Sequence, residues 1–132
     1  MVIKKEKYKY FIRTGNGPFS LLHLLYLKIK IMFNIGQTVF AYWGETGHYY
    51  LGTIVAAFDN SYHVVFADGD QGAIPANKIQ TTSMTPGLKV MARWVDGNFY
   101  PGTVHEIIGT AAFIHFDDGD QGWTSFAGIA IK

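Results

Sequence analysis

The chain has 132 residues, 48% of them apolar and 16% aromatic, with a formal net charge of +1 and no cysteine. This composition supports a packed core and excludes both a disulfide framework and a thiolate metal site. The small net charge conceals an asymmetry. Residues 1–32 hold seven basic side chains against Glu6 alone, whereas residues 33–132 hold four against nine acidic ones, a surface that repels phosphate and favours a cationic partner.

Residues 1–34 resemble nothing else in the chain and form an N-terminal basic and apolar segment. It starts with Lys4, Lys5, Lys7 and Lys9, passes the breaker Gly15-Asn16-Gly17-Pro18 and enters an apolar run from Ser20 to Leu27. That run is too short to span a bilayer. It superficially resembles a signal peptide, but Lys28 and Lys30 interrupt it and no small-residue cleavage site follows. Three readings stand side by side: an extension upstream of a true start at Met32, a helix or basic arm, and a targeting segment.

From Thr38 onward the signals are those of strands, and they occur twice. Phe66-Ala67-Asp68-Gly69-Asp70-Gln71-Gly72 returns as Phe116-Asp117-Asp118-Gly119-Asp120-Gln121-Gly122, a period of about fifty that marks a duplicated unit. Val39-Phe40-Ala41-Tyr42-Trp43 matches Val90-Met91-Ala92-Arg93-Trp94, and Tyr49-Tyr50-Leu51-Gly52-Thr53-Ile54 matches Phe99-Tyr100-Pro101-Gly102-Thr103-Val104. We place the first repeat at residues 35–80 and the second at 87–132, joined by the polar linker 80–86. Short β-branched and aromatic runs between Gly, Asn and Asp predict strands at 38–42, 49–58, 62–66 and 71–74, then at 89–94, 99–108, 111–116 and 121–125. Asp-Gly at 68–69 and 118–119 signals tight hairpins. Gly52 and Gly102, inside long second strands, predict a bend or bulge. The expected architecture is all-β: two five-stranded, strongly bent barrels in tandem. A unit of about 45 residues buries little surface alone, so the copies are expected to pack together or exchange strands.

These residues resemble a Tudor domain: Gly-x-x-Val-x-Ala-x-Trp, a short loop, Tyr-Tyr-x-Gly-Thr-Ile, then Phe-x-Asp-Gly-Asp. The second copy, from Ala92 to Val104, is similar to the Tudor domains of Polycomb-like chromatin proteins, and the duplication is similar to tandem Tudor readers of methylated histone lysine. The resemblance implies SH3-like barrels of the Tudor or Agenet type and an aromatic cage at one barrel mouth. Carried over residue by residue, the cage is Trp43, Tyr50 and Phe66 with Asp68 in the first copy, and Trp94, Tyr100 and Phe116 with Asp118 in the second. Where some members add a fourth aromatic, this chain has Asp70 and Asp120. A three-walled, acidic cage implies lower methylation states of lysine, or methyl-arginine. The implied partner is a peptide or protein carrying methylated Lys or Arg, in the nucleus of a eukaryote or the cytoplasm of a bacterium.

Each of these residues also has a plain structural reading. Trp43, Trp94, Phe66 and Phe116 can be barrel core, and Asp68 and Asp118 can simply favour the hairpin turn. Strand alternation assigns Tyr49 and Phe99 to the core, opposite Tyr50 and Tyr100. Trp123, which stands where the first copy has Ala73, either enlarges the second cage or covers the seam between barrels; we assign it to the seam. The histidines do not cluster, and none is shared between copies, which argues against a repeated metal site. Asp68-Gly69-Asp70 lacks the rest of a calcium-loop series. No catalytic arrangement or phosphate-binding glycine motif recurs, so neither an enzyme nor a cofactor is expected. Nucleic acid is an unlikely partner for the repeats but an open one for a basic arm at residues 1–31, where aromatics could stack bases. A third reading is an assembly role with the cages plugged.

Overall fold

The computed structural model describes residues 33–44 and 46–132; the readings made for residues 1–32 lie outside the described residues. Among the described residues there are ten strands. The first five are β1 (Thr38–Tyr42), β2 (Tyr49–Ala57), β3 (Ser61–Phe66), β4 (Gln71–Pro75) and β5 (Ile79–Gln80). The second five are β6 (Lys89–Arg93), β7 (Phe99–Ile108), β8 (Ala111–Phe116), β9 (Gln121–Ser125) and β10 (Ile129–Ile131). A single 3-10 turn precedes β5, at Ala76–Lys78, and another precedes β10, at Phe126–Gly128. The fold is all-β, two five-stranded barrels in tandem. Among the described residues no helix is long and apolar enough to cross a membrane.

Alternation builds the strands. Along β8 the side chains are half-buried and buried by turns, with Ala112, Ile114 and Phe116 inward. Both Asp-Gly pairs make the expected tight turns: Gly69 and Gly119 take φ of +96° and +98°, where a Cβ would be strained.

The two units repeat one pairing scheme and then join. Strand β1 pairs with β2 and β5, β2 with β3, and β3 with β4; in the second unit β6 pairs with β7 and β10, β7 with β8, and β8 with β9. The connection between units is β10, which pairs with β6 on one edge and with β2 on the other, through Ala130↔Tyr50 and Ile131↔Tyr49. All ten strands therefore belong to one continuous sheet.

Two cores lie inside it. Val39, Ala41, Ile54, Tyr62, Val64, Phe66, Ile74 and Ile79 close the first with Phe33, whose N–H donates to Tyr62 Oη at 3.3 Å. The second holds Val90, Ala92, Val104, Ile114, Phe116 and Ile129, but also Phe40 and Leu51 of the first unit. Strand β1 is thus buried on both faces, Val39 and Ala41 toward one core and Phe40 toward the other.

One expectation is corrected. The bulges do not fall at Gly52 and Gly102. The register shifts between Ile54 and Ala56 and between Val104 and Glu106. The glycines serve a close approach instead: a Cβ at Gly52 would lie 2.5 Å from Val64 Cγ1 and 3.0 Å from the Val65 carbonyl oxygen, and one at Gly102 would lie 2.7 Å from Ile114 Cγ2.

Because Phe40 belongs to the first unit and fills the second core, Phe40→Ala should destabilise the chain by about 3–5 kcal/mol. Both units should unfold in one cooperative transition. Denaturant unfolding followed separately by fluorescence and far-UV circular dichroism would show coincident curves; two resolved transitions would contradict the shared core.

Candidate functional site

Each unit carries an open pocket at the same place. In the second, Trp94, Asp96, Tyr100, Phe116, Asp118 and Asp120 line a cavity of about 220 Å³. In the first, Trp43, Thr46, Tyr50, Phe66 and Asp68 line one of about 280 Å³, together with Gly44 and with Arg93, Phe99 and Ala127 of the second unit. The eight residues singled out by the repeat thus fall into two groups of four, one per pocket.

The walls are set by the strands. Trp43 and Trp94 follow β1 and β6, Tyr50 and Tyr100 lie near the start of β2 and β7, and Phe66 and Phe116 end β3 and β8. The rings converge: Trp43 and Phe66 have centroids 5.0 Å apart at 47°, Trp94 and Phe116 5.2 Å apart at 82°. The first pair is tilted and the second edge-to-face, the latter a favourable arrangement of aromatic quadrupoles. Phe66 and Phe116 are buried and belong to the cores, so each is at once barrel filler and pocket floor. Both indoles are half-buried. Each rests over a glycine of the neighbouring hairpin strand: a Cβ on Gly72 would stand 2.9 Å from Trp43 Cζ3, and one on Gly122 would stand 3.1 Å from Trp94 Cζ3. Gly72 and Gly122 hold the seat open.

Asp68 and Asp118 do cap their turns, each Oδ1 accepting from the N–H of Asp70 or Asp120 at 2.9 and 3.0 Å. They nevertheless line the pockets, so the turn role and the wall role coexist. Asp120 lines the second pocket, whereas Asp70 does not line the first.

The loop after the first strand separates the copies. The Tyr100 hydroxyl donates to Asp96 Oδ2 at 2.6 Å, and Asp96 Oδ1 accepts from the Asn98 N–H at 2.9 Å. The Tyr100 bond, followed by the Asn98 bond, holds the Asp96 carboxyl below its ordinary 3.8. The same contact with Asp96 raises the Tyr100 phenol above its ordinary 10.0. In the first copy the equivalent partner of Tyr50 is the Thr46 hydroxyl, at 3.0 Å. The second pocket therefore gathers three carboxylates, and the first gathers one carboxylate and a guanidinium. That guanidinium stacks on the second unit, with Arg93 Cζ 5.8 Å from the Phe99 centroid.

Several expectations change here. Phe99 is not core; it is half-buried and forms part of the first pocket's rim beside Arg93, its partner across the β6–β7 ladder. Tyr49 is only partly buried and packs against the second core, with its ring edge-on to Tyr42 at 5.6 Å. Trp123 neither lines the second pocket nor covers the seam. It is 51% exposed on β9 and packs on Phe113 at 5.2 Å. Two histidines do come together: His105 and His115 stack at 4.1 Å and 13°. His105 follows Thr103 by two residues on β7, and Thr103 pairs with His115, so both imidazoles stand on the outward face of the β7–β8 hairpin. Among the described residues no group of three or more His, Asp or Glu is placed to hold a metal.

A further cavity, about 450 Å³, lies in the seam between the units. Thr38, Leu51, Val55 and Val65 line one side and Thr110, Ser125 and Phe126 the other. It has no charged lining residue, and of the eight singled-out residues only Phe66 touches it, so it lacks the groups that would orient a polar ligand.

Among solved structures, the tandem Tudor domains of Crb2 match with a TM-score of 0.51 at 16% identity, over 72% of this chain and 77% of theirs. The fold is that of a tandem Tudor pair. Two tandem Agenet structures also align with the pair. Arabidopsis thaliana AGDP1 AGD34 does so at 15% identity and a TM-score of 0.40, over 88% of this chain and 92% of that one. ADCP1 tandem Agenet domain 3-4 does so at 15% identity and a TM-score of 0.35, over 86% and 89%. No protein-family model and no curated protein matches the chain.

The Tyr100–Asp96 bond gives the second unit a pH signature. Asp96 is depressed in the folded state, so its contribution is present above pH 3.8 and lost as pH falls through the lowered value. Tyr100 is raised, so its contribution is present below pH 10.0 and lost as pH rises through the raised value. Followed by phenolate absorbance, Tyr100 should ionise above 10.0 and move back toward it in Asp96→Ala.

Proposed function

We propose that the chain is a non-catalytic binding module, a reader that holds a methylated lysine or arginine side chain of a protein or peptide. In this reading residues 35–80 and 87–132 act as two units of one module, and the second pocket is the principal site. The observation that carries it is the company of three rings, Trp94, Tyr100 and Phe116, and three carboxylates, Asp96, Asp118 and Asp120, around one open cavity of about 220 Å³.

A methylated ammonium is less strongly hydrated than lysine's own, so withdrawing it from water costs less. Ring faces attract it by roughly 0.5–2 kcal/mol each. A carboxylate adds Coulombic attraction and can accept the N–H that mono- or dimethyl-lysine, or methyl-arginine, retains. After association entropy is subtracted, such a site binds weakly, with Kd on the order of micromolar or above. The first pocket has comparable rings, but Arg93 on its rim repels an incoming cation. The acidic second pocket also disfavours a phosphate backbone.

Titration with N-acetyl dimethyl-lysine methylamide, read by indole NMR shifts, tests the proposal. Trp94 should move and Trp43 should not. Trp94→Ala should weaken binding roughly two- to thirtyfold, while Trp43→Ala should leave it nearly unchanged. The affinity should fall with added salt. Absence of any Trp94 shift at millimolar concentration would refute the assignment.

A further inference from the structure

The duplication leaves one strand edge filled in the first unit and open in the second. Along β2, strand β3 pairs from Gly52 onward, and the stretch it leaves bare, Tyr49–Tyr50, is covered by β10. Along β7, strand β8 likewise pairs from Gly102 onward. There the corresponding stretch, Phe99–Tyr100, pairs with β6 on one side, and among the described residues no strand pairs with it on the other. The direction of its backbone groups follows from its neighbours. The Pro101 carbonyl accepts from the Asp117 N–H at 3.1 Å on the β8 side, as the Leu51 carbonyl accepts from the Ala67 N–H at 3.0 Å on the β3 side. Backbone groups alternate between edges along a strand, so the N–H and C=O of Phe99 point out of this open edge. Tyr100, a wall of the acidic pocket, is the next residue.

We propose that the partner peptide adds as an antiparallel strand to the Phe99–Tyr100 edge of β7, with its cationic residue opposite Tyr100. The proposal rests on the reading of the second pocket as a cation site. The first unit supplies the template: β10 runs antiparallel on the equivalent edge, with Ala130 opposite Tyr50 and Ile131 opposite Tyr49. Residues directly opposite on antiparallel strands carry their side chains on the same face, with Cβ atoms about 5 Å apart. A peptide lysine in the place of Ala130 would therefore project beside the Tyr100 ring, where Asp96, Asp118 and Asp120 supply the complementary charge. The peptide residue that follows the lysine falls opposite Phe99 and exchanges both backbone hydrogen bonds with it. The lysine's own N–H points away from β7. Main-chain pairing supplies affinity and the pocket supplies selection, the division of labour seen wherever a peptide augments a sheet edge.

The register makes the test sharp. The probes are N-acetyl dimethyl-lysine methylamide, a short peptide with a central dimethyl-lysine, and two versions of that peptide N-methylated on the backbone. One is methylated at the dimethyl-lysine and the other at the residue after it. The parent peptide should bind roughly two- to twelvefold more tightly than the amino-acid derivative, whose methylamide N–H already supplies the donor half of the pair, the worth of the one further net backbone hydrogen bond. Methylation at the following residue should abolish that gain, and methylation at the lysine should spare it. The Phe99 amide should become protected from hydrogen exchange in the complex. If both methylated peptides bind like the parent, or the Phe99 amide stays unprotected, strand addition is overturned and the pocket assignment survives. If the amino-acid derivative leaves Trp94 unmoved, the pocket assignment itself falls. Sedimentation showing a dimer whose formation protects Phe99 without peptide would assign the edge to a second copy and would also overturn the proposal.

Discussion

The structure depends on a strand that belongs to both halves. A barrel of about 45 residues encloses too little apolar surface to offset the entropy of its own ordering. Here β10 satisfies β6 and β2 together, and Phe40 and Leu51 leave the first unit to fill the second core. The cores are therefore mutually dependent. The seam so created also places Arg93 and Phe99 beside the first pocket. A packing necessity has thus altered the electrostatics of one site and left the other untouched.

Duplication followed by this asymmetric joining explains why two pockets with the same rings are chemically unlike. The aromatic walls come from positions locked into the strands and cores, and they are held in common. The charge comes from the loop after the first strand, where Asp96 stands in one copy and Thr46 in the other, and from what the neighbouring unit presents. Both differences act in the same direction, making the second pocket anionic and the first nearly balanced.

Much of this was legible in the chain itself. Short alternating runs and Asp-Gly pairs gave the strands to within a residue or so, because a period of two and a turn needing positive φ are local properties. The pocket-lining rings were visible because repetition isolates residues that a single copy would leave ambiguous between core and wall. What escaped notice was tertiary. Nothing in the repeat marks Asp96, and only the folded loop brings it to the Tyr100 hydroxyl. Phe99 looked like core by alternation, and only β10 reveals that its surroundings belong to the other unit. His105 and His115 looked unrelated along the chain, and only the β7–β8 register, with Thr103 opposite His115, sets their rings side by side. Gly52 and Gly102 were read as marking a bend or bulge; the bulges fall further along each strand, and these glycines let two strands approach closely.

Phe66 and Phe116 support the barrels from within while forming the pocket floors. Exchanging either ring would disturb a whole barrel, so over evolutionary time the floor is effectively frozen. Divergence between the copies is channelled to the rim, where a single loop substitution alters the pocket's charge at little thermodynamic penalty. One copy thus carries a rim of near-balanced charge while its sibling keeps an acidic one on the same aromatic base.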